Sequence, residues 1–134
     1  MADYIIRPVS RGDSERIWEI RNHPIARENS GSPEEIAFEK HNRWFEEKYF
    51  KNGNNLCFVL EYQRKIIGYC RLDTDDKEQY LASVAIDYDY QGKGFGHLLL
   101  SKSLQKIEGS KDILATVKKD NFISVKLFQK NNFR

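Results

Sequence analysis

The sequence predicts an α/β fold: a central, mostly antiparallel mixed sheet with helices on both faces. Three observations predict it. Apolar residues recur every three or four positions in two stretches of the first half and again after Gly94. Between them, from Leu56 to Ile86, the residues are β-formers broken by short polar turns, the pattern of a meander. A cluster of three glycines, Gly92, Gly94 and Gly96, then joins the last of these strands to a helix. The resulting order, β-α-α-β-β-β-α-β-α, is a mixed sheet with helices packed on it.

Each element follows from its residues. Tyr4–Val9 is short and apolar, a first strand. Ser10 with Asp13 makes an N-terminal cap, and Ile17, Trp18 and Ile20 form an apolar stripe up to Asn22, where Pro24 opposes continuation. Asn29 to Ser32 is a polar loop. Ser32-Pro33-Glu34-Glu35 is a capping box with proline at the first helical position. The helix predicted from there carries Phe38, His41, Trp44, Phe45 and Tyr49 on one face and stops at Asn52-Gly53. Leu56–Tyr62 and Lys65–Leu72 form a hairpin around Gln63-Arg64, Asp73 to Lys77 is a polar turn, and Gln79–Ile86 is a third strand. A helix opening at Gly94 or Phe95 carries Leu98, Leu99, Leu100, Leu104 and Ile107 and closes at Gly109. Ile113–Val117 is a buried-type strand, and Asp120 caps a last helix, Asn121–Lys130.

The 134 residues fit one domain. No apolar run approaches the ~18 residues of a membrane span, and the N-terminus lacks a signal pattern, so a cytoplasmic protein is expected. The formal charge of +2 conceals an asymmetry. Residues 101–134 hold 8 Lys+Arg against 3 Asp+Glu, whereas residues 1–100 hold 14 against 17. A basic last third suits a phosphate-bearing ligand as well as a solvated helix face. There is no basic run with interleaved aromatics, so nucleic acid is not the expected partner. Cys57 and Cys70 form no metal-ligand pattern and are expected to be buried and reduced.

The glycine segment carries the chemistry. Glycines let a backbone approach a ligand closely, and the N–H groups of a helix start, with its partial positive charge, suit a pyrophosphate. A P-loop would need Gly-Lys-Ser/Thr, and Lys93 is followed by Gly94. A dinucleotide fingerprint would need Gly-x-Gly-x-x-Gly in a βαβ unit.

With these residues in place the chain resembles the GNAT superfamily of acetyl-CoA-dependent N-acetyltransferases. Gln91-Gly92-Lys93-Gly94-Phe95-Gly96 is similar to that family's Gln/Arg-x-x-Gly-x-Gly/Ala loop. Asn121, Ser124, Leu127, Phe128 and Asn132-Phe133 resemble its Asn-x-x-Ser/Ala-x-x-Leu-Tyr-x-x-x-Gly-Phe helix. The resemblance covers essentially the whole chain and implies a single acetyltransferase domain, residues 1–134. It implies acetyl-CoA as cosubstrate and no metal. The amides of Gln91 to Gly96 would hold the pyrophosphate, and the backbone of Ala85 and Ile86 would hold the pantetheine arm and polarise the thioester carbonyl. Asn121 would contact the pantetheine arm, Phe128 would stand beside it, and Lys93, Lys126 and Lys130 would face the adenosine phosphates.

A narrower resemblance lies in the first half. Arg21-Asn22-His23-Pro24 through Arg27, Glu39 through Phe45, and Gly68-Tyr69-Cys70-Arg71-Leu72-Asp73 are similar to the branch that acetylates the 4-amino group of nucleotide-linked amino sugars, as in pseudaminic acid pathways. The implied reaction is direct attack of a primary amine on the thioester. Such an amine has a pKa near ~10 in solution, so a base is expected, with His41, Asp73 and Glu39 the candidates. For Trp44 a place in the core competes with a place in the site. Two departures stand out. Phe128 replaces the tyrosine that protonates the leaving thiolate, leaving Tyr88, Tyr90 or water. The sequence also stops one residue after Phe133, where the family continues into further strands. The expectation is that these are truncated or supplied by a partner, as in a homodimer. Alternatives are a protein or peptide N-terminal acetyltransferase and a non-catalytic acyl-CoA-binding module.

Overall fold

Tyr4, Ile6 and Arg7 turn partly inward along the first strand, β1 (Tyr4–Pro8), and Pro8 ends it at the sheet edge, where a missing N–H costs little. The structure, a computed structural model, describes residues 3–29, 34–51, 53–74, 79–107, 112–115, 122–131 and 133. After β1 a 3-10 turn (Arg11–Asp13) leads into α1 (Ser14–Arg21). The expected cap is present: the Asp13 carboxylate accepts from the Ser10 N–H at 2.7 Å and pairs with Arg7 at 2.8 Å. Helix α1 buries Ile17 and Ile20 and ends ahead of Pro24, as its sequence predicts. Pro24 itself then opens a short helix, α2 (Pro24–Asn29), where its fixed φ favours a first helical position.

Helix α3 spans Phe38–Glu46, so it starts later than the capping box predicts. Ser32 and Pro33 lie outside the described residues, and Glu34 to Ala37 are not helical. Ile36 explains the delay. Its N–H donates to Asn22 Oδ1 at 2.9 Å and its carbonyl accepts from Trp18 Nε1 at 2.7 Å. Both backbone groups are committed to the α1–α2 region and cannot join a helical ladder. A π-helical turn, Glu47–Lys51, follows α3. Its wider pitch brings both Tyr49 and Phe50 against Phe45, at ring distances of 5.7 and 5.3 Å.

Strands β2 (Leu56–Tyr62) and β3 (Lys65–Thr74) are joined at Gln63-Arg64, both at positive φ (51° and 68°). Strand β3 runs on through Asp73 and Thr74, which the sequence assigns to a turn. Asn55 Oδ1 accepts the Thr74 N–H at 2.9 Å, and both residues pair with β4 (Tyr80–Ile86). Then come α4 (Phe95–Gln105), β5 (Ile113–Leu114) and α5 (Phe122–Lys130). Gly109 and residues 116 and 117 lie outside the described residues. The strands lie in the order β1-β2-β3-β4-β5, antiparallel except for the parallel β4–β5 pair.

Helices cover both faces, as predicted. One core joins Phe58, Leu60, Cys70 and Leu72 to Phe95, Leu99 and Leu100 of α4 and Phe128 of α5. The other joins Cys57, Val59 and Tyr69 to Ile17, Ile20 and Phe45. The two cysteines are free and occupy opposite cores, and burial pushes the Cys70 thiol up to about 12. Alternation along β3 carries Arg71 and Asp73 to the same face as Tyr69, under α1 and α3. Among the described residues no helix is long and apolar enough to cross a membrane.

Candidate acetyl-CoA and acceptor site

The site starts at β4. Its pairing with β5 covers only Tyr80 and Leu81, whereas its pairing with β3 runs to Ile86. Among the described residues, the outer edge of Ala82 to Ile86 therefore has no strand partner. Gly68 fixes how closely β3 supports this stretch. A Cβ there would lie 2.6 Å from Ile86 Cδ1 and 3.0 Å from the Ala85 carbonyl.

The loop after β4 is held from three sides. The Asp87 N–H donates to the Ile67 carbonyl at 2.7 Å, and its carboxylate pairs with Arg16. The Gln91 side chain folds back to donate to the Ile86 carbonyl at 3.1 Å. Phe95 is buried beside Tyr62, at a ring distance of 5.0 Å, so its contribution to a ligand is its N–H. Gly92 (φ 77°) and Gly94 (φ 86°) take left-handed conformations, and Gly94 is the N-cap of α4. A Cβ on Gly92 would meet nothing within 4 Å, so its backbone angle, not crowding, requires glycine there. The first N–H groups of α4 have no intrahelical acceptors and point into this loop. A free strand edge leading into these donors fits the extended arm and pyrophosphate of acetyl-CoA.

Lys93 is exposed in the loop, and Lys126 and Lys130 are exposed on α5. A Cβ on Gly96 would lie 3.5 Å from Leu127, and His97 meets Asn131 at 3.0 Å where α4 joins α5, a pairing the motifs do not show. Phe128 is buried edge-on to Phe133 at 4.9 Å and has no proton to give. Asn121 lies outside the described residues. Tyr88 is exposed and stacks on His23 at 5.0 Å, whereas Tyr90 packs near Tyr62. A cleft of about 150 Å³ between α1–α2 and the end of β4 is lined by Ile20, His23, Ile25, Ile86, Tyr88 and Gln91, among others.

On the α1/α3 face a polar cluster forms around Trp44. Arg21 Cζ lies 4.3 Å from the centre of the Trp44 ring, and Arg71 Cζ lies 5.1 Å from it. His41 is fully buried. Its Nε2 meets the Ser14 carbonyl at 3.0 Å and its Nδ1 meets Arg21 Nη1 at 3.1 Å. A carbonyl only accepts and a guanidinium only donates, so Nε2 carries the proton and Nδ1 accepts. Burial, and next the charge of Arg21, push the His41 pKa down to about 4. The imidazole is thus neutral, but neither nitrogen has a free lone pair for an acceptor amine, which counters its expected use as the direct base. Asp73 is also buried. It accepts from Tyr49 at 2.8 Å and Arg71 at 3.0 Å, and pairs with Lys48 at 3.3 Å. Glu39 is exposed on the outer side of α3, beside a groove of about 420 Å³ shared with Arg43, Glu46 and Lys51. The structure therefore unites His41 and Asp73 around Trp44 and leaves Glu39 apart.

Arg21, Lys48, Tyr49 and Arg71 complete the cluster beyond the predicted candidates. Arg21 and Arg71 stand inside the quoted motifs, so their signal was legible. Tyr49 stands on the face that α-helical periodicity predicts, whereas Lys48 arrives through the π-helical turn, which that periodicity does not reveal. Among the described residues no group of three or more His, Cys, Asp or Glu side chains could hold a metal ion.

Comparison with known proteins agrees with this fold. The fold matches an N-acetyltransferase from Staphylococcus aureus Mu50 at a TM-score of 0.83 and 23% identity, over 99% of this chain and 84% of that one. It matches yncA of Salmonella typhimurium, solved with its cofactor acetyl-CoA, at 0.83 and 22%, over 98% and 79%. It also matches a spermidine N-acetyltransferase from Vibrio cholerae, solved with CoA and spermine, at 0.82 and 21%, over 97% and 80%. No curated protein matches the chain in sequence. The model of the acetyltransferase (GNAT) family matches residues 16–133, from the first helix to beyond the last. The chain belongs to the GNAT family of acetyltransferases.

Proposed function

We propose that the protein transfers acetyl from acetyl-CoA to the primary amine of a nucleotide-linked amino sugar by direct attack. The observation that carries the acceptor half is the convergence of Arg21, His41, Trp44, Arg71 and Asp73, from segments far apart in sequence, on one sheet face beside β4. Acetyl-CoA supplies the acetyl group as a reactive thioester. The amides from Gln91 to Gly96 would hold its pyrophosphate, with Lys93, Lys126 and Lys130 near its other phosphates. The edge of β4 at Ala85 and Ile86 would seat the pantetheine arm and donate to the thioester oxygen, where charge develops during attack.

The acceptor must present a neutral amine. Water would take the proton from the amine. In this reading His41 and Asp73 are positioning residues, for Arg21 and Arg71 respectively, and Glu39 takes no part. The leaving thiolate needs no strong acid, since a thiol's pKa is about 8.5. Phe128 is then compatible with turnover. The same phenylalanine, in place of a proton donor, is what favours the second reading, a non-catalytic acyl-CoA-binding module.

Thiol release from acetyl-CoA across an amine panel separates the two. The enzyme reading expects release with UDP-linked 4-amino sugars above that with peptides bearing a free N-terminus. Acetyl-CoA binding without release on any amine would establish the module.

A further inference from the structure

Three cations surround one indole in the cluster, and among the described residues one carboxylate answers them. Arg21, Arg71 and Lys48 lie 4.3, 5.1 and 5.8 Å from the centre of the Trp44 ring. Asp73 pairs with Arg71 and Lys48. Arg21 is left over: among the described residues no carboxylate lies within ion-pair distance, and its polar partner is the neutral His41. Burial and the charge of Arg71 both oppose its ionisation. Arg71 adds an unmet donor, a buried Nε with no hydrogen-bond partner among the described residues. Half-buried guanidinium groups with unmet charge and donors are costly, and a bound anion removes that cost. Arg21, Trp44 and Arg71 are all part-exposed, so the cluster is open to a ligand. It is also beside the reaction centre. Arg71 lies opposite Ser83 and Tyr69 opposite Ala85, so the cluster stands one strand from the free edge of β4.

We propose that Arg21 and Arg71, braced on Trp44, bind an oxyanion of the acceptor, a phosphate or a carboxylate, and thereby select anionic amines over polycationic ones. His41 acts through Arg21: its unprotonated Nδ1 aims the guanidinium without adding charge. Leu81 and Leu114, paired with each other beside Asp73, are 43% and 48% exposed and give the same face an apolar step for the rest of the acceptor. The proposal rests on the acetyltransferase reading for its substrate and on the cluster alone for its anion.

The test measures kcat and KM for thiol release at saturating acetyl-CoA with five amines: a UDP-linked 4-amino sugar, glucosamine 6-phosphate, aspartate, glucosamine and spermidine. The phosphate and carboxylate arms distinguish the two sources of the anion. At least one anionic amine is expected to exceed glucosamine tenfold in kcat/KM, with spermidine last. Arg21→Gln, which keeps a donor for His41, is expected to raise KM for that amine tenfold or more, to change kcat less, and to lower kcat/KM for glucosamine by a smaller factor. Arg21→Lys is expected to recover part of the loss. Preference for spermidine or glucosamine, or an equal loss with every amine in Arg21→Gln, would overturn the proposal. If no amine releases thiol, calorimetry of the same compounds on the CoA-bound protein decides. Binding of an anionic amine that Arg21→Gln weakens tenfold sustains the anion site while the acetyl-transfer reading fails, and no such binding overturns both. Circular dichroism of each variant confirms that it is folded.

Discussion

Gly92 and Gly94 show what a single residue contributes. Both hold left-handed angles, and alanine there costs about 1–2 kcal/mol from backbone geometry alone. Space exists for the Gly92 Cβ, so a Gly92→Ala loop relaxes by turning its amides rather than by unpacking a core. Calorimetry is expected to show acetyl-CoA affinity falling at least tenfold in Gly92→Ala and in Gly94→Ala, with a loss of thermal stability of only a few degrees; unchanged affinity would place the pyrophosphate elsewhere. These glycines were legible in the sequence because their spacing is itself the signal. The role of His41 was not. Periodicity places it correctly on the inner face of its helix, but only the bonds to Ser14 and Arg21 show that both ring nitrogens are taken.

Among the elements, the strands follow the sequence most closely. β2 has the bounds predicted for it, because an apolar run from Leu56 to Leu60 lies between two turns. Element boundaries differ where tertiary bonds outweigh local signals, as at Ile36 ahead of α3 and Asn55 at the end of β3. The β2–β3 hairpin carries a local conflict of its own. Two residues at positive φ call for Asn-Gly, and Gln63-Arg64 bears side chains that disfavour this geometry. The double substitution Gln63→Asn, Arg64→Gly is expected to stabilise the protein by about 1 kcal/mol in denaturant unfolding. A destabilisation would show that Gln63 or Arg64 makes contacts that outweigh the turn.

For the whole molecule, buried His41 ties stability to pH. Its pKa of about 4 in the fold lies below the ordinary value of 6.5. Between these pH values the unfolded chain binds a proton that the folded chain refuses, so stability is full above pH 6.5 and falls as pH drops towards 4. The slope from one such group is at most about 1.4 kcal/mol per pH unit. His41→Gln supplies one donor and one acceptor without titrating, and urea unfolding across this range is expected to lose the slope; an unaltered slope would assign it to other groups. Asp13 and Asp87 act at lower pH. For each, burial opposes ionisation, but hydrogen bonds and an arginine partner outweigh it and hold the pKa below the usual carboxylate value. Their contribution is present above pH ~4 and is lost as pH falls through the folded pKa.

Around β4 lie a strand edge that has no strand partner among the described residues, a glycine loop and a cationic cluster, and the proposed function would place acetyl-CoA along β4 and its loop. Amide hydrogen exchange with and without acetyl-CoA maps that place. Protection is expected from Ala82 through His97, with β1 and the outer side of α3 unchanged. Protection centred instead on Phe38 to Lys51, with Ala82 to His97 unaffected, would contradict it.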